Sequence, residues 1–216
     1  MKKTIVIAII SFIIFYVIKE KVYKPYMWKK AMNTKEHQLQ LGSFIFSKQR
    51  GTNGSQSYQN YYFVFKVVEI SGDFVRLSVV RRLSKKDVIT ESDFSTTSKQ
   101  YKALQENVED LVITPIATED LYHGDGPRFT LNDYLLQKYP ALHSSPYYYE
   151  ASAENVTDKL LKEKTIVADY DFSLIYSKKE IIEKGLLTPY TINQYGALNK
   201  PVLSSKYAEH IDLIKN

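Results

Sequence analysis

The sequence predicts an α+β fold carried on an N-terminal transmembrane helix: first an antiparallel hairpin region of barrel-like or sandwich type, then a mixed region of helices and strands. Three observations predict it. Residues 4–18 run without a charge or a helix breaker and contain seven Ile. Two segments rich in Val, Ile, Tyr and Phe, residues 61–70 and 74–82, flank Ser71, Gly72 and Asp73, which is a hairpin pattern. From Thr97 onward, capping signals and helical stripes alternate with short strand candidates, the order expected of α+β architecture.

The N-terminal run is apolar on every side, with Ser11 its one interior polar residue, so it belongs in lipid or a translocon rather than on a protein surface. At ~1.5 Å per residue its span is about 22 Å, short of the ~30 Å hydrocarbon core. The downstream flank is more informative. Residues 19–30 offer no pair of small residues two apart, so nothing there suits a signal peptidase and residues 1–23 read as an uncleaved signal anchor. Lys2, Lys3, Lys19 and Lys21 can lay their stems along the lipid and reach the headgroups. Tyr23, Tyr26 and Trp28 suit the interfacial aromatic belt. Residues 24–38 read as a juxtamembrane stalk, with Pro25 at a bend. The bilayer is thus an expected partner of a single-pass membrane protein. Counting flanking Lys puts the bulk of the chain in the cytoplasm, whereas a basic tip leading straight into an apolar run is how export signals begin; the reading leans extracytoplasmic.

The anchor also explains the charge. The whole chain carries a formal +5, yet residues 1–30 hold seven Lys and one Glu, leaving 22 Lys plus Arg against 23 Asp plus Glu in the other 186 residues. A domain with no excess of cations is not built for a polyanion, so nucleic acid is not an expected partner. The basic run of Arg76, Arg81, Arg82, Lys85 and Lys86, bracketed by Asp73 and Asp87, reads as a solvated strand edge and turn.

Residues 39–216 are expected to form a single α+β domain, β-rich over 39–83 and mixed over 84–216. Phe44 and Phe46 alternate with Ile45 and Ser47, a strand signal. Residues 51–57 are Gly-rich and polar, hence a loop. With Gly72 and Asp73 as the hairpin turn, Glu69 faces Arg76, and Val64, Val68 and Ile70 share a face with Val75, Leu77 and Val79. The opposite face carries Phe63, Phe65 and Val67, so both sides need cover. Thr97 and Gln100 have capping-box spacing ahead of a stripe at Tyr101, Leu104, Val108 and Leu111. Thr130 with Asp133 resembles a second box, followed by Leu131, Tyr134 and Leu135 and stopped by Pro140. Ser152 can cap a helix burying Ala153, Val156 and Leu160. Ser177 and Glu180 make a third box for a helix ended by Gly185. A last helix is expected after Ser205, burying Tyr207, Ala208, Ile211 and Ile214. Residues 112–117 and 165–175 are the remaining strand candidates.

Catalytic signals are sparse. The absence of Cys excludes disulfides, Cys-ligated metals and thiol nucleophiles. No metal-ligand or cofactor-binding spacing occurs, so no metal or cofactor is expected. Among four His, His37 and His210 lack a local motif and read as surface residues. The most site-like stretch is residues 122–128, where His123, Asp125 and Arg128 could supply a base, an orienting carboxylate and an anion clamp; Gly124, Gly126 and Pro127 equally make a turn. His143 with Ser144 is too close in sequence to act as a triad pair. Asp169 and Asp171 share one face of a probable strand. Tyr147, Tyr148 and Tyr149 stand in a chain with 18 Tyr, and Tyr supplies contact area at low entropic cost. The leading expectation is therefore a membrane-anchored, non-enzymatic binding or accessory protein of a bacterial envelope. A membrane-anchored hydrolase centred on His123 and Asp125, and an immunity or inhibitor-type protein, are the alternatives.

Overall fold

The register of one hairpin sets the phase of the sheet. In the computed structural model, which describes residues 2–52, 57–83, 96–121, 133–151, 173–192 and 201–216, strands β2 (Tyr58–Ser71) and β3 (Phe74–Val79) are antiparallel with Ser71 opposite Phe74. Gly72 takes φ +59°, the left-handed conformation a two-residue hairpin turn requires. Glu69 faces Arg76 as expected, Oε2 to Nη2 at 3.1 Å. Between Val67 and Glu69, however, the register shifts at a bulge, and an extra residue inverts the side-chain alternation beyond it. Val75, Leu77 and Val79 consequently share their core with Phe65 and Val67, while Val64 packs on the other face. That corrects the grouping of Val64 with Val75; the demand for cover on both faces is met.

Strand β1 (Phe44–Thr52) pairs with β2 on one side and the C-terminal strand on the other. Gly51 and Thr52, expected in a loop, complete β1 opposite Gln59 and Tyr58. Next in sequence come β4 (Arg81–Arg82), helix α3 (Ser98–Asn107), β5 (Ile113–Ala117) and the short helices α4 (Thr118–Leu121) and α5 (Asp133–Lys138). These lead to β6 (Tyr147–Ala151), β7 (Ser173–Ser177), helix α6 (Lys178–Lys184), β8 (Leu186–Leu187), β9 (Tyr190–Ile192), β10 (Pro201–Leu203) and β11 (Glu209–Lys215). The main sheet runs β7-β3-β2-β1-β11-β8. Directly after β8, the Thr188 carbonyl accepts the Ser177 amide at 3.1 Å and Pro189 bridges Tyr176. First and last strands thus meet, and the sheet is a nearly closed barrel.

Ile45, Phe65, Val67, Leu77, Leu187 and Ile214 belong to one core cluster; Phe44, Phe46 and Val64 pack with Tyr101 and Leu104 of α3 in another. The expected capping box holds that helix, Thr97 accepting the Gln100 amide while the Gln100 side chain accepts from the Thr97 amide. A second sheet, β4-β6-β5, has β5 and β6 parallel. It is tied to the barrel where the Glu150 amide donates to Ser78 Oγ at 3.0 Å.

Two expectations are corrected. The predicted C-terminal helix is one 3-10 turn (Ser205–Tyr207) followed by strand β11. Ile211 and Ile214 are both buried, at helix-like spacing, because a bulge opposite Phe46 and Ser47 makes Leu213 and Ile211 successive partners; Tyr207 is exposed. Arg76 and Arg81, read as part of a solvated edge, are buried, with Arg81 lying 5.0 Å from the Tyr148 ring. No helix among the described residues is long and apolar enough to cross a membrane. Helix α1 (Lys2–Ile18) has 17 residues, and a π turn, Lys19–Tyr23, begins where it stops.

Candidate membrane-attachment site

Residues 4–19 are exposed without exception. Phe12 and Phe15, for example, show 80% and 68% of their surface. A helix that is apolar all round and exposed along its whole length is not packed to the standard of a folded interior. Its polypeptide nevertheless continues in helical conformation. Ile18, Tyr23 and Lys24 all have right-handed helical φ and ψ, and the Lys24 amide bonds back five residues to the Lys19 carbonyl. The widened turn sits just ahead of Pro25 in the first turn of helix α2 (Lys24–Met32). Proline has no N–H and its ring crowds the carbonyl four residues back, so a π turn there lets the rod continue through a residue that breaks a regular helix.

Trp28 of α2, expected in an interfacial belt, instead docks on the domain. Its Nε1 donates to the Ile181 carbonyl at 2.9 Å. Its ring lies over Gly185, where a Cβ would stand 2.9 Å from Trp28 Cδ2. Gly185 has φ +65° and caps α6, whose N-terminus is held by Ser177 accepting the Glu180 amide. Ser177 and Gly185 cap α6 as expected, but only half of the expected box forms, since the Ser177 amide donates to the Thr188 carbonyl; the Trp28 seat was not legible from the sequence. Met32, one turn on, joins the barrel core.

The chain terminus fastens the same region. Asn216 Nδ2 donates to the carbonyls of Lys35, at 2.6 Å, and Gln38, at 3.0 Å, while the Asn216 amide donates to Glu36. His37 Nδ1 lies 2.6 Å from the Ile214 carbonyl and donates to it as the Nδ1–H form. The segment 24–38, expected as a stalk, is therefore docked at Trp28, Met32 and residues 35–38, and His37 has a structural partner.

Around the base of α1, Lys19, Lys21, Lys24, Lys29 and Lys30 are exposed, as are Tyr23 and Tyr26. Lys24 pairs with Glu20 at 2.8 Å. The side chains of Lys2 and Lys3 lie outside the described residues.

The other sequence candidates are placed differently. His123, Asp125 and Arg128 lie outside the described residues, as do Lys85, Lys86, Asp87, Asp169, Asp171, Thr130, and the helix expected after Ser152. Tyr148 is wholly buried and Tyr147 shows 9% of its surface, both within core clusters. Only Tyr149 of the three is partly open, so the triplet is mainly packing material. His210 is exposed on β11. Among the described residues, no three His, Asp or Glu gather as a metal site.

One polar cluster that sequence reasoning missed adjoins the His123 stretch. Asp120 is buried and receives Tyr134 Oη at 2.7 Å, Lys138 Nζ at 2.6 Å and Tyr139 Oη at 2.6 Å. Lys138 first, then Tyr139 and Tyr134, hold its carboxyl down to about 2. The oxygens are committed to these donors, which ties α4 to α5 and makes Asp120 a structural anion rather than a proton acceptor at neutral pH. A folded-state value below the unfolded one means stability present above about pH 4 and lost as pH falls toward 2. Replacing Asp120 by Asn should remove that part of the acid dependence and cost about 1–3 kcal/mol at neutral pH, measured by urea titration at several pH values.

No known protein family, characterised protein or solved structure matches the chain.

Proposed function

We propose that the protein is a membrane-attached, non-enzymatic binding or accessory protein of a bacterial envelope, with α1 inserted in the bilayer as a single pass and the barrel domain on the extracytoplasmic side. The observation that carries this reading is the exposure of every residue from 4 to 18. That segment holds eleven Ile, Val and Phe, and at ~0.3–0.6 kcal/mol each near a helix centre their transfer to lipid is worth roughly 3–7 kcal/mol. The uncharged run of residues 4–18 extends about 22 Å at ~1.5 Å each, roughly 8 Å short of the ~30 Å hydrocarbon core. Snorkelling lysines at either end, or local thinning of the bilayer, accommodates such a shortfall at modest cost.

A binding role is favoured because the conspicuous polar groups in the described domain, Asp120 and the Glu69–Arg76 pair, are engaged with their own neighbours. The docked α2 supports a domain held at a fixed attitude to the membrane, which suits presentation of a surface to a partner.

The chain has no Cys, so a single introduced thiol reports without background. Ser205→Cys, on the exposed 3-10 turn, should react with a membrane-impermeant maleimide in intact cells, and the protein should stay in the membrane pellet after alkaline carbonate. Labelling only after lysis would reverse the orientation. Release by carbonate would remove the attachment itself.

A further inference from the structure

We propose that the helical collar between α1 and the barrel selects anionic phospholipid headgroups, an inference that rests on the membrane-attachment reading. Lys19, Lys21, Lys24, Lys29 and Lys30 fall within twelve residues that contain one acid, Glu20, for a local charge of +4, whereas the 186 residues beyond residue 30 carry −1. The positive charge of the protein is therefore concentrated where the chain would leave the lipid. All five lysines are exposed. Lys24 meets Glu20, but with side chains 59% and 31% exposed such a pair is weak in water and leaves the net charge of the collar unchanged.

The heights fit. Beyond Ile18 the rod rises ~1.5 Å per residue, so Lys19 to Lys24 lie within about 9 Å of the end of α1, comparable with the headgroup layer of ~5–8 Å. Lys29 and Lys30 follow at about 17–18 Å, roughly one Debye length beyond that layer at ~8–10 Å. The collar is also pre-organised. It is helical from Lys19 to Met32, with Trp28 seated on Ile181 and Gly185, so headgroups meet cations already carried on a fixed backbone. A zwitterionic headgroup has no net charge to repay this arrangement; an anionic one does.

The full chain, reconstituted in phosphatidylcholine vesicles with a trace of spin-labelled phosphatidylglycerol or spin-labelled phosphatidylcholine, tests this. The phosphatidylglycerol should be immobilised on the order of fivefold more strongly than the phosphatidylcholine, the equivalent of one lysine contact of about 1 kcal/mol. The preference should fall toward parity at about 0.5 M salt, where screening acts over only a few ångströms. In a variant with Lys19, Lys21, Lys24, Lys29 and Lys30 all replaced by Gln, the preference should vanish while the chain remains carbonate-resistant. Equal association of both lipids with the native chain, or a preference undiminished in the five-Gln variant, overturns the proposal. Native chain that carbonate extracts from the vesicles overturns the attachment reading instead, and the collar inference with it.

Discussion

Replacing Phe12 and Ile13 together by Lys should release the protein from membranes. Both side chains stand near the middle of α1 and are exposed. A Lys at the helix centre costs ~2.5–3.5 kcal/mol, so two cost roughly 5–7 kcal/mol and also forfeit two favourable residues. That matches or exceeds the roughly 3–7 kcal/mol available from the eleven Ile, Val and Phe. One Lys at Ile5 is the control. Near the end of the helix its ammonium can reach the interface, and the protein should stay bound. Because Ile5, Phe12 and Ile13 are all exposed, the thermal midpoint in detergent should be the same for all three proteins. Retention of the double variant in a carbonate-washed pellet would mean that α1 does not hold the chain there.

The second large effect is expected at the joint between rod and barrel. Trp28→Ala removes a half-buried ring and the indole donor to the Ile181 carbonyl, which then accepts from the Gly185 amide alone, a loss of about 2–4 kcal/mol. For a domain of this size that is a fall in Tm of roughly 5–15 °C. Gly185→Ala acts on the same contact from the other side. The new methyl meets Trp28 Cδ2 at 2.9 Å on a backbone with φ +65°, combining a conformational penalty of ~1–2 kcal/mol with a clash. Only the clash depends on Trp28. In the double variant the Gly185 cost should shrink to the conformational part, a coupling of about 1 kcal/mol or more by double-mutant cycle. Strict additivity would show that the two residues do not meet.

These two experiments separate what was legible in the sequence from what was not. The exposed apolar helix was readable because its chemistry is local and uninterrupted. So were the Gly72 turn, the Glu69–Arg76 pair, the Thr97–Gln100 box, and the Ser177 and Gly185 caps. Each depends on residues a few positions apart, where backbone geometry fixes which groups can meet. The errors share the opposite cause. Val64 was assigned to the wrong face because one inserted residue in β2 inverts the alternation, and no residue type announces a bulge. Ile211 and Ile214 mimicked a helix because a second bulge gave a strand helical spacing. Arg81 looked like a surface cation until the chain returned, more than sixty residues later, to lay Tyr148 against it.

For the site, the sequence by itself determined that residues 4–18 seek an apolar environment and that the positive charge gathers beside them. Composition and periodicity suffice for that, since transfer to lipid depends on each side chain in turn. Only the tertiary structure decided that the segment 24–38 is docked from Trp28 to Gln38 rather than a free stalk. The contacts that dock them, Trp28 to Ile181 and Gly185 and Asn216 to Lys35 and Gln38, join residues about 150 or more positions apart. Pairings at that separation are selected by the closure of the whole barrel and leave no signature in the local pattern.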